Sequence, residues 1–364
     1  MNSFHHLRSL TAAAGLAAFL QWHGAAADED TIDVVTSFSI LGDMVAEVGG
    51  DRVHVISLVG VGEDTHVFIP GPSDVQTLAA ADLLVVNGLG FEGWLDRLVE
   101  ASGTEAALLV ATRGLDVLKV EGGDDDHDNE EDHEHGDADG HDDHADEDGH
   151  DHGHDDHADE DGHDHGHDET HDRDDHAEVD GHDDHGHGPI DPHAWQDVAN
   201  AEIYVRNIAE ALIAVDSDGQ EVYEANAERY LEELNALDHD IRDAIADLPE
   251  NHRTVVTSHD AFGYFERAYG ITFLAAIGSS TDAAPSAGEV AALIRQIREE
   301  QISAVFIESI TDNRIIDRIA EETGAVVGGT LYSDALSNAD GPALTYIDMM
   351  RHNTTMLTSA IMAF

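Results

Sequence analysis

The chain has no cysteine and a single lysine, Lys119. Disulfide bonds and thiolate chemistry are therefore excluded, no lipid-anchored cysteine is expected, and any metal ligands must be histidines or carboxylates. Only 16 basic residues stand against 78 acidic ones, which gives a formal net charge of −62 at pH 7. Nucleic acid is not an expected partner, because binding its phosphates requires clustered lysine and arginine.

The chain also has no long hydrophobic run near its start. The apolar stretch from Leu10 to Leu20 is too short to span a membrane. It follows an arginine-containing start and precedes the small residues Ala25 to Ala27, a pattern that predicts a secretory signal peptide over residues 1–27. The alternative is a buried first helix. We expect a soluble, exported protein without a lipid anchor.

Histidine is abundant, and most of it lies in one segment. Residues 122–188 hold 17 of the 27 histidines and 31 of the 78 acidic residues, and the unit HADEDGHDHGHDD at His144 is nearly repeated from His157. The segment has too few apolar residues for their burial to offset the conformational entropy lost on folding. We therefore predict a disordered insertion. Neutral imidazoles in it suit several weak, exchangeable metal sites. The alternative is a solubilising acidic segment.

Outside this segment, apolar strand patterns alternate with amphipathic helix patterns, four strands before the insertion and four near the end of the chain. Val/Ile/Leu runs separated by helices are typical of parallel sheets. Between the two sets, a periodic pattern predicts one helix of roughly 43 Å. Ser73 and Ser286 are predicted helix N-caps. We therefore predict an α/β protein of two four-stranded lobes joined by a long helix.

These predictions divide the chain into a signal peptide, a first lobe interrupted by the insertion, a linking helix and a second lobe. The predicted bounds are 1–27 for the signal peptide, 28–121 for the N-terminal lobe, 122–188 for the insertion, 189–219 for the end of the N-terminal lobe, 220–249 for the linking helix and 250–364 for the C-terminal lobe.

Three histidines and one aspartate occupy positions where a cleft can form. His66 lies in the loop after the second predicted strand, and His259 ends the first predicted strand of the second lobe. Asp334 lies just beyond the last predicted strand, and His193 lies in the stretch DPHAW that follows the insertion. In parallel sheets, ligands bind beyond the carboxyl ends of the strands. Three imidazoles and one carboxylate form a tetrahedral nitrogen and oxygen set that suits zinc, although spacing alone does not show that they converge. Four others are interpreted as surface or structural histidines: His54, His239, His252 and His352.

Four motifs in order carry a resemblance to a known family. The stretches DTHVFIPGPSDVQTLAAADLLVVNGLGFEGWL, DPHAW, SHDAFGYF and LYSDALS resemble the ligand motifs of periplasmic metal-binding proteins that feed zinc or manganese ABC importers. The resemblance covers the chain from Ile32 to Phe364. It implies two (β/α)4 lobes with parallel four-stranded sheets, joined by a rigid helix, and a metal in the cleft between the lobes.

The resemblance also implies the ligands. It carries His66, His193, His259 and Asp334 over as the metal-binding residues. Manganese members have a carboxylate where this chain has His259, so the imidazole favours zinc, since manganese prefers oxygen donors. The first motif departs from the usual Thr-Pro and has IPGPSD, which alters the loop but leaves His66 in place.

We therefore expect a monomer that captures Zn²⁺ in the periplasm and delivers it to an ABC-transporter permease with its ATPase. Glu308 is the expected hydrogen-bond partner of a ligand, because a ligating imidazole usually donates its other N–H to a carboxylate. The alternatives are a manganese-binding protein of the same kind and a zinc buffer or adhesin. A metalloenzyme is disfavoured, because four protein ligands leave no position for a reactive water.

Overall fold

The structure is a computed structural model that describes residues 31–119 and 190–363. The predicted signal peptide 1–27 and the predicted insertion 122–188 lie outside the described residues. The domain bounds drawn from the sequence therefore stay a prediction.

The first four strands form one parallel sheet in the order β2-β1-β3-β4. The strands are β1 (Ile32–Phe38), β2 (Val53–Val59), β3 (Leu83–Val86) and β4 (Ala107–Val110), connected by the helices α1 (Ser39–Gly49), α2 (Pro72–Ala79) and α3 (Leu95–Ser102). The central strands β1 and β3 are almost fully buried, as expected for apolar runs covered on both faces.

Two helices then follow without an intervening strand, α4 (Val198–Val215) and α5 (Gln220–Ala246). The buried side chains of α5 recur at spacings of three and four residues and form one apolar stripe: Tyr223, Ala227, Tyr230, Leu234, Leu237, Ile241 and Ile245. This stripe packs against α1 and α4.

The remaining strands form a second parallel sheet in the order β6-β5-β7-β8. Its elements are β5 (Thr254–His259), α6 (Gly263–Tyr269), β6 (Thr272–Ile277), α7 (Ala287–Glu300), β7 (Ala304–Glu308), α8 (Arg314–Thr323), β8 (Val326–Leu331) and α9 (Tyr346–Met362). The predicted fold class, α/β with two parallel four-stranded sheets, is confirmed. We call β1–β4 with their helices the first lobe and β5–β8 with theirs the second lobe.

The cores of the lobes are joined on one side. One buried cluster runs from the first sheet through α4 and α5 to α6 and α9, and α5 contacts α9 directly. A separate cluster lies under α7 and α8, around Ile294, Ile297, Val305 and Ile316. The long helix therefore packs against both lobes, while the outer helices of the second lobe have a core of their own.

Two local predictions are corrected and one is confirmed. Ser286 caps α7, accepting from Glu289 N at 3.2 Å. Ser73 does not cap α2, because the helix begins at Pro72, whose fixed φ suits the first helical position. Helix α5 ends at Ala246, before the predicted residue 249, since a residue preceding proline avoids helical conformation. Among the described helices, none has the length and apolar character needed to cross a membrane.

Candidate metal centre

The structure brings the four predicted site residues together. His66 lies in the loop between β2 and α2, and His193 lies just before α4. His259 is the last residue of β5, and Asp334 follows β8. One possible ligand atom from each side chain lies within 4.8 Å of the others. His66 belongs to the first lobe and His259 and Asp334 to the second, so the cluster lies where the two lobes meet.

The spacing of these atoms fits a single small ion. Asp334 Oδ2 is 3.2 Å from His66 Nε2 and 3.3 Å from His259 Nε2, and the His66 and His193 Nε2 atoms are 3.4 Å apart. His193 Nε2 is farther from the aspartate, at 3.7 Å from Oδ1. Ligands that lie at zinc–ligand distances in a tetrahedron would be about 3.3 Å apart. Three of these four distances are close to that value, and all of the candidate ligand atoms lie within 4.8 Å of one another.

The cluster is buried and electrostatically coupled. Burial acts to lower the pKa of His259, but the nearby carboxylates of Glu308 and Asp334 outweigh it and raise that pKa well above its usual value. Burial acts to raise the pKa of Asp334, but the imidazoles of His259 and His193 hold it well below its usual range. Without a metal, a proton on His259 therefore supplies the positive charge that the buried aspartate requires.

Two of the imidazoles have a carboxylate on their far side. Glu308 Oε2 lies 2.6 Å from His259 Nδ1, and Glu308 Oε1 accepts the main-chain N–H of His259 at 2.7 Å. At His193 a single oxygen, Asp191 Oδ1, makes both contacts, 2.9 Å from the main-chain nitrogen and 2.8 Å from Nδ1. Such carboxylates orient the ring and leave Nε2 available to an ion. The structure thus places the predicted Glu308 against a candidate ligand, whereas the sequence analysis missed Asp191.

The segment after His193 is tied to the loop that carries Asp334. The indole Nε1 of Trp195 and the amide Nε2 of Gln196 both donate to the Ser333 carbonyl oxygen, each at 2.8 Å. The candidate ligands from the end of the first lobe and from the last strand of the second are therefore held in one hydrogen-bonded unit.

Aromatic side chains form the wall of the cluster. The ring of Phe91 packs edge-on against His66 at 4.9 Å and against His193 at 5.9 Å between centroids. Trp195 packs against both Phe91 and His193. The side chains of the cluster are almost fully buried behind this wall, and burial strengthens electrostatic attraction for a cation. No pattern in the sequence separated these aromatics from ordinary core residues.

The remaining described histidines lie apart from this cluster. His54 pairs with Asp33 on the exposed face of the first sheet, His239 is exposed on α5, and the His352 ring contacts the Thr330 carbonyl. In the part of the chain that the structure describes, the four-residue cluster is the one group of three or more potential metal-ligating side chains.

The raised pKa of His259 predicts proton release on metal binding. The imidazole holds its proton below this pKa, so the metal-free site carries it at pH 7 and an ion must displace it. We expect the first equivalent of zinc to release about one proton at pH 7, and fewer as the pH rises through the His259 pKa. Calorimetry in buffers of different ionisation enthalpy measures this number. Zinc binding without proton release at pH 7 would contradict the coupling.

The fold and the candidate site are those expected of a solute-binding protein for a divalent metal. Comparison with known proteins specifies the family. The chain belongs to the family described as "Zinc-uptake complex component A periplasmic" (ZnuA), whose model matches residues 34–360. It is therefore the exported substrate-binding component of a metal ABC importer, which works with a permease and an ATPase, and it is not an enzyme.

Individual relatives bear the names of different metals. The chain is 31% identical over 338 residues to the manganese-binding lipoprotein MntA of Halalkalibacterium halodurans. The aligned region covers 93% of this chain and 91% of that protein. The Mn-bound periplasmic metal binding protein from candidatus Liberibacter asiaticus is 25% identical with a TM-score of 0.68, over 91% and 100% of the two chains. The periplasmic zinc binding protein TroA from Treponema pallidum is similar in fold, at 24% identity and a TM-score of 0.70, over 91% and 99%.

Proposed function

We propose that the chain captures Zn²⁺ and delivers it to the permease of its importer, with His66, His193, His259 and Asp334 as the ligands. The observation that carries this proposal is the donor set of three imidazoles and one carboxylate, whose candidate ligand atoms all lie within 4.8 Å of one another. The ion is cargo here and not a resident cofactor.

Zinc is favoured over manganese by the chemistry of the donors. Zinc binds imidazole nitrogen readily and accepts four ligands, whereas manganese prefers more oxygen donors and a higher coordination number. Manganese is the second candidate, because the relative from Halalkalibacterium halodurans is named manganese-binding.

Competition binding distinguishes the two metals. We expect the first equivalent of zinc to displace manganese from the full chain even when manganese is in large excess. Manganese that remained bound under equal zinc would support the second candidate.

The segment 122–188 is proposed as an accessory that collects zinc. Support comes from its composition, 17 histidines among closely spaced acidic residues. Its imidazoles are mostly neutral at about pH 7 and can bind zinc, but each ion must order the chain around it. We therefore expect several weak, exchangeable sites there beside the one tight site.

Deletion of residues 123–185 separates the two kinds of site. We expect the variant to fold and to keep one tight zinc, because both sheets and their cores consist of described residues on either side, joined where Lys119 pairs with Ile190. The weak sites should be lost, and growth should suffer mainly when zinc is scarce. Calorimetry counts the sites, and loss of the tight site would show that its ligands lie in the deleted segment.

The monomeric, unanchored periplasmic form expected from the sequence stays a proposal, since relatives such as MntA are called lipoproteins. Cell fractionation and light scattering on the full chain test these two points.

A further inference from the structure

Each of the three candidate ligand histidines has an acidic residue that accepts its main-chain N–H. Asp191 does this for His193, Glu308 for His259, and Asp64 for His66, with Oδ1 at 2.9 Å from the nitrogen. In the first two cases the same carboxylate also contacts the Nδ1 atom of the ring.

Asp64 uses its second oxygen differently. Its Oδ2 accepts a hydrogen bond from the hydroxyl of Thr281 at 2.5 Å. Thr281 lies between β6 and α7 in the second lobe, whereas Asp64 and His66 lie in the first. The Asp64 carboxylate, which accepts the main-chain N–H of His66, therefore also forms a hydrogen bond to the opposite lobe.

His66 is the candidate ligand with the least support from other contacts. Within the described residues, no carboxylate is placed behind its ring, and its side chain is 5% exposed, while those of the other three are fully buried. It projects from a loop whose next residues, Val67 and Ile69, are exposed to solvent. His66 is thus the candidate ligand that lies nearest to solvent.

We propose that Asp64 is a positioning residue that couples ligation by His66 to closure of the lobes, through its hydrogen bond to Thr281. The bond crosses between the lobes, so it stabilises the closed, metal-bound state and is broken when the lobes separate. This inference rests on the proposed function. It predicts that the bond slows release of the ion and leaves its capture unchanged.

The test is the rate of zinc release from the full chain, loaded with one equivalent of zinc and mixed rapidly with a chelator. Thr281→Val removes the hydroxyl at nearly constant volume and leaves the Asp64–His66 contact in place. We expect release about 10- to 100-fold faster, the range for a hydrogen bond to a charged group, with an unchanged association rate. Thr281→Ser should restore slow release, and Ser280→Ala, which removes a neighbouring hydroxyl that does not contact Asp64, should behave as wild type.

A double-mutant cycle with Asp64→Ala separates the effect of the Asp64–Thr281 hydrogen bond from any effect on the folding of the loop. In the Asp64→Ala background, Thr281→Val should have no further effect on the release rate or on the melting temperature of the metal-free protein. Release at the wild-type rate from Thr281→Val, or full additivity of the two changes, would overturn the inference. If the wild-type chain itself failed to retain zinc, the proposed function would fail instead, so the two failures are distinguishable.

Discussion

Replacing His66, His193 or His259 by alanine is expected to weaken tight zinc binding by more than about 100-fold in each case. Loss of a residue that only supports a ligand typically costs 10- to 100-fold in metal affinity, and loss of the ligand itself should cost more. His66→Ala is the cleanest of the three, because in the described part of the chain no carboxylate lies behind the His66 ring, as Asp191 and Glu308 do for the other two. The affinity is measured by chelator competition on the full chain.

His239→Ala is the matched control. This histidine is exposed on α5 and lies apart from the cluster, so its removal should leave the tight site unchanged. Circular dichroism checks that each variant folds. Wild-type zinc affinity in the His259→Ala variant would show that the four-ligand assignment is wrong.

Replacing His259 by glutamate is expected to shift selectivity toward manganese. The change substitutes an oxygen donor for a nitrogen donor, and the zinc-to-manganese affinity ratio should fall by on the order of tenfold or more. The new carboxylate would lie close to Glu308, which contacts His259 Nδ1 at 2.6 Å in the present structure. Two adjacent carboxylates repel each other, so His259→Glu combined with Glu308→Gln is the better-balanced variant.

His259→Gln provides the control for the selectivity change, because it removes the imidazole without adding a charge. It should weaken zinc binding without improving manganese binding. An unchanged zinc-to-manganese ratio in the glutamate variants, measured by competition, would count against the role given to the imidazole.

Much of the fold follows from local sequence pattern. The apolar runs at Ile32–Phe38 and Thr254–His259 become central strands of the two sheets, and Val198–Val215 is a helix with the predicted bounds. These segments are long and their hydrophobic periods are unambiguous. The errors lie at helix ends, as at Ser73, where a neighbouring proline decided the first turn.

The site was predictable where ligands follow strand ends, and less so where partners come from distant parts of the chain. His259 and Glu308 end adjacent parallel strands, so their contact follows from the sheet. Asp191 could have been found, because it precedes His193 by two residues, as Asp64 precedes His66. Thr281 could not, since its position beside Asp64 depends on how the two lobes meet.

The central claim, one zinc ion held by three histidines and one aspartate between the lobes, is tested most directly by anomalous diffraction at the zinc edge. Crystals of the full chain with one equivalent of zinc should show a single anomalous peak. That peak should lie about 2.0–2.2 Å from ligand atoms of His66, His193, His259 and Asp334. A strong peak elsewhere, with none among these four side chains, would contradict the account.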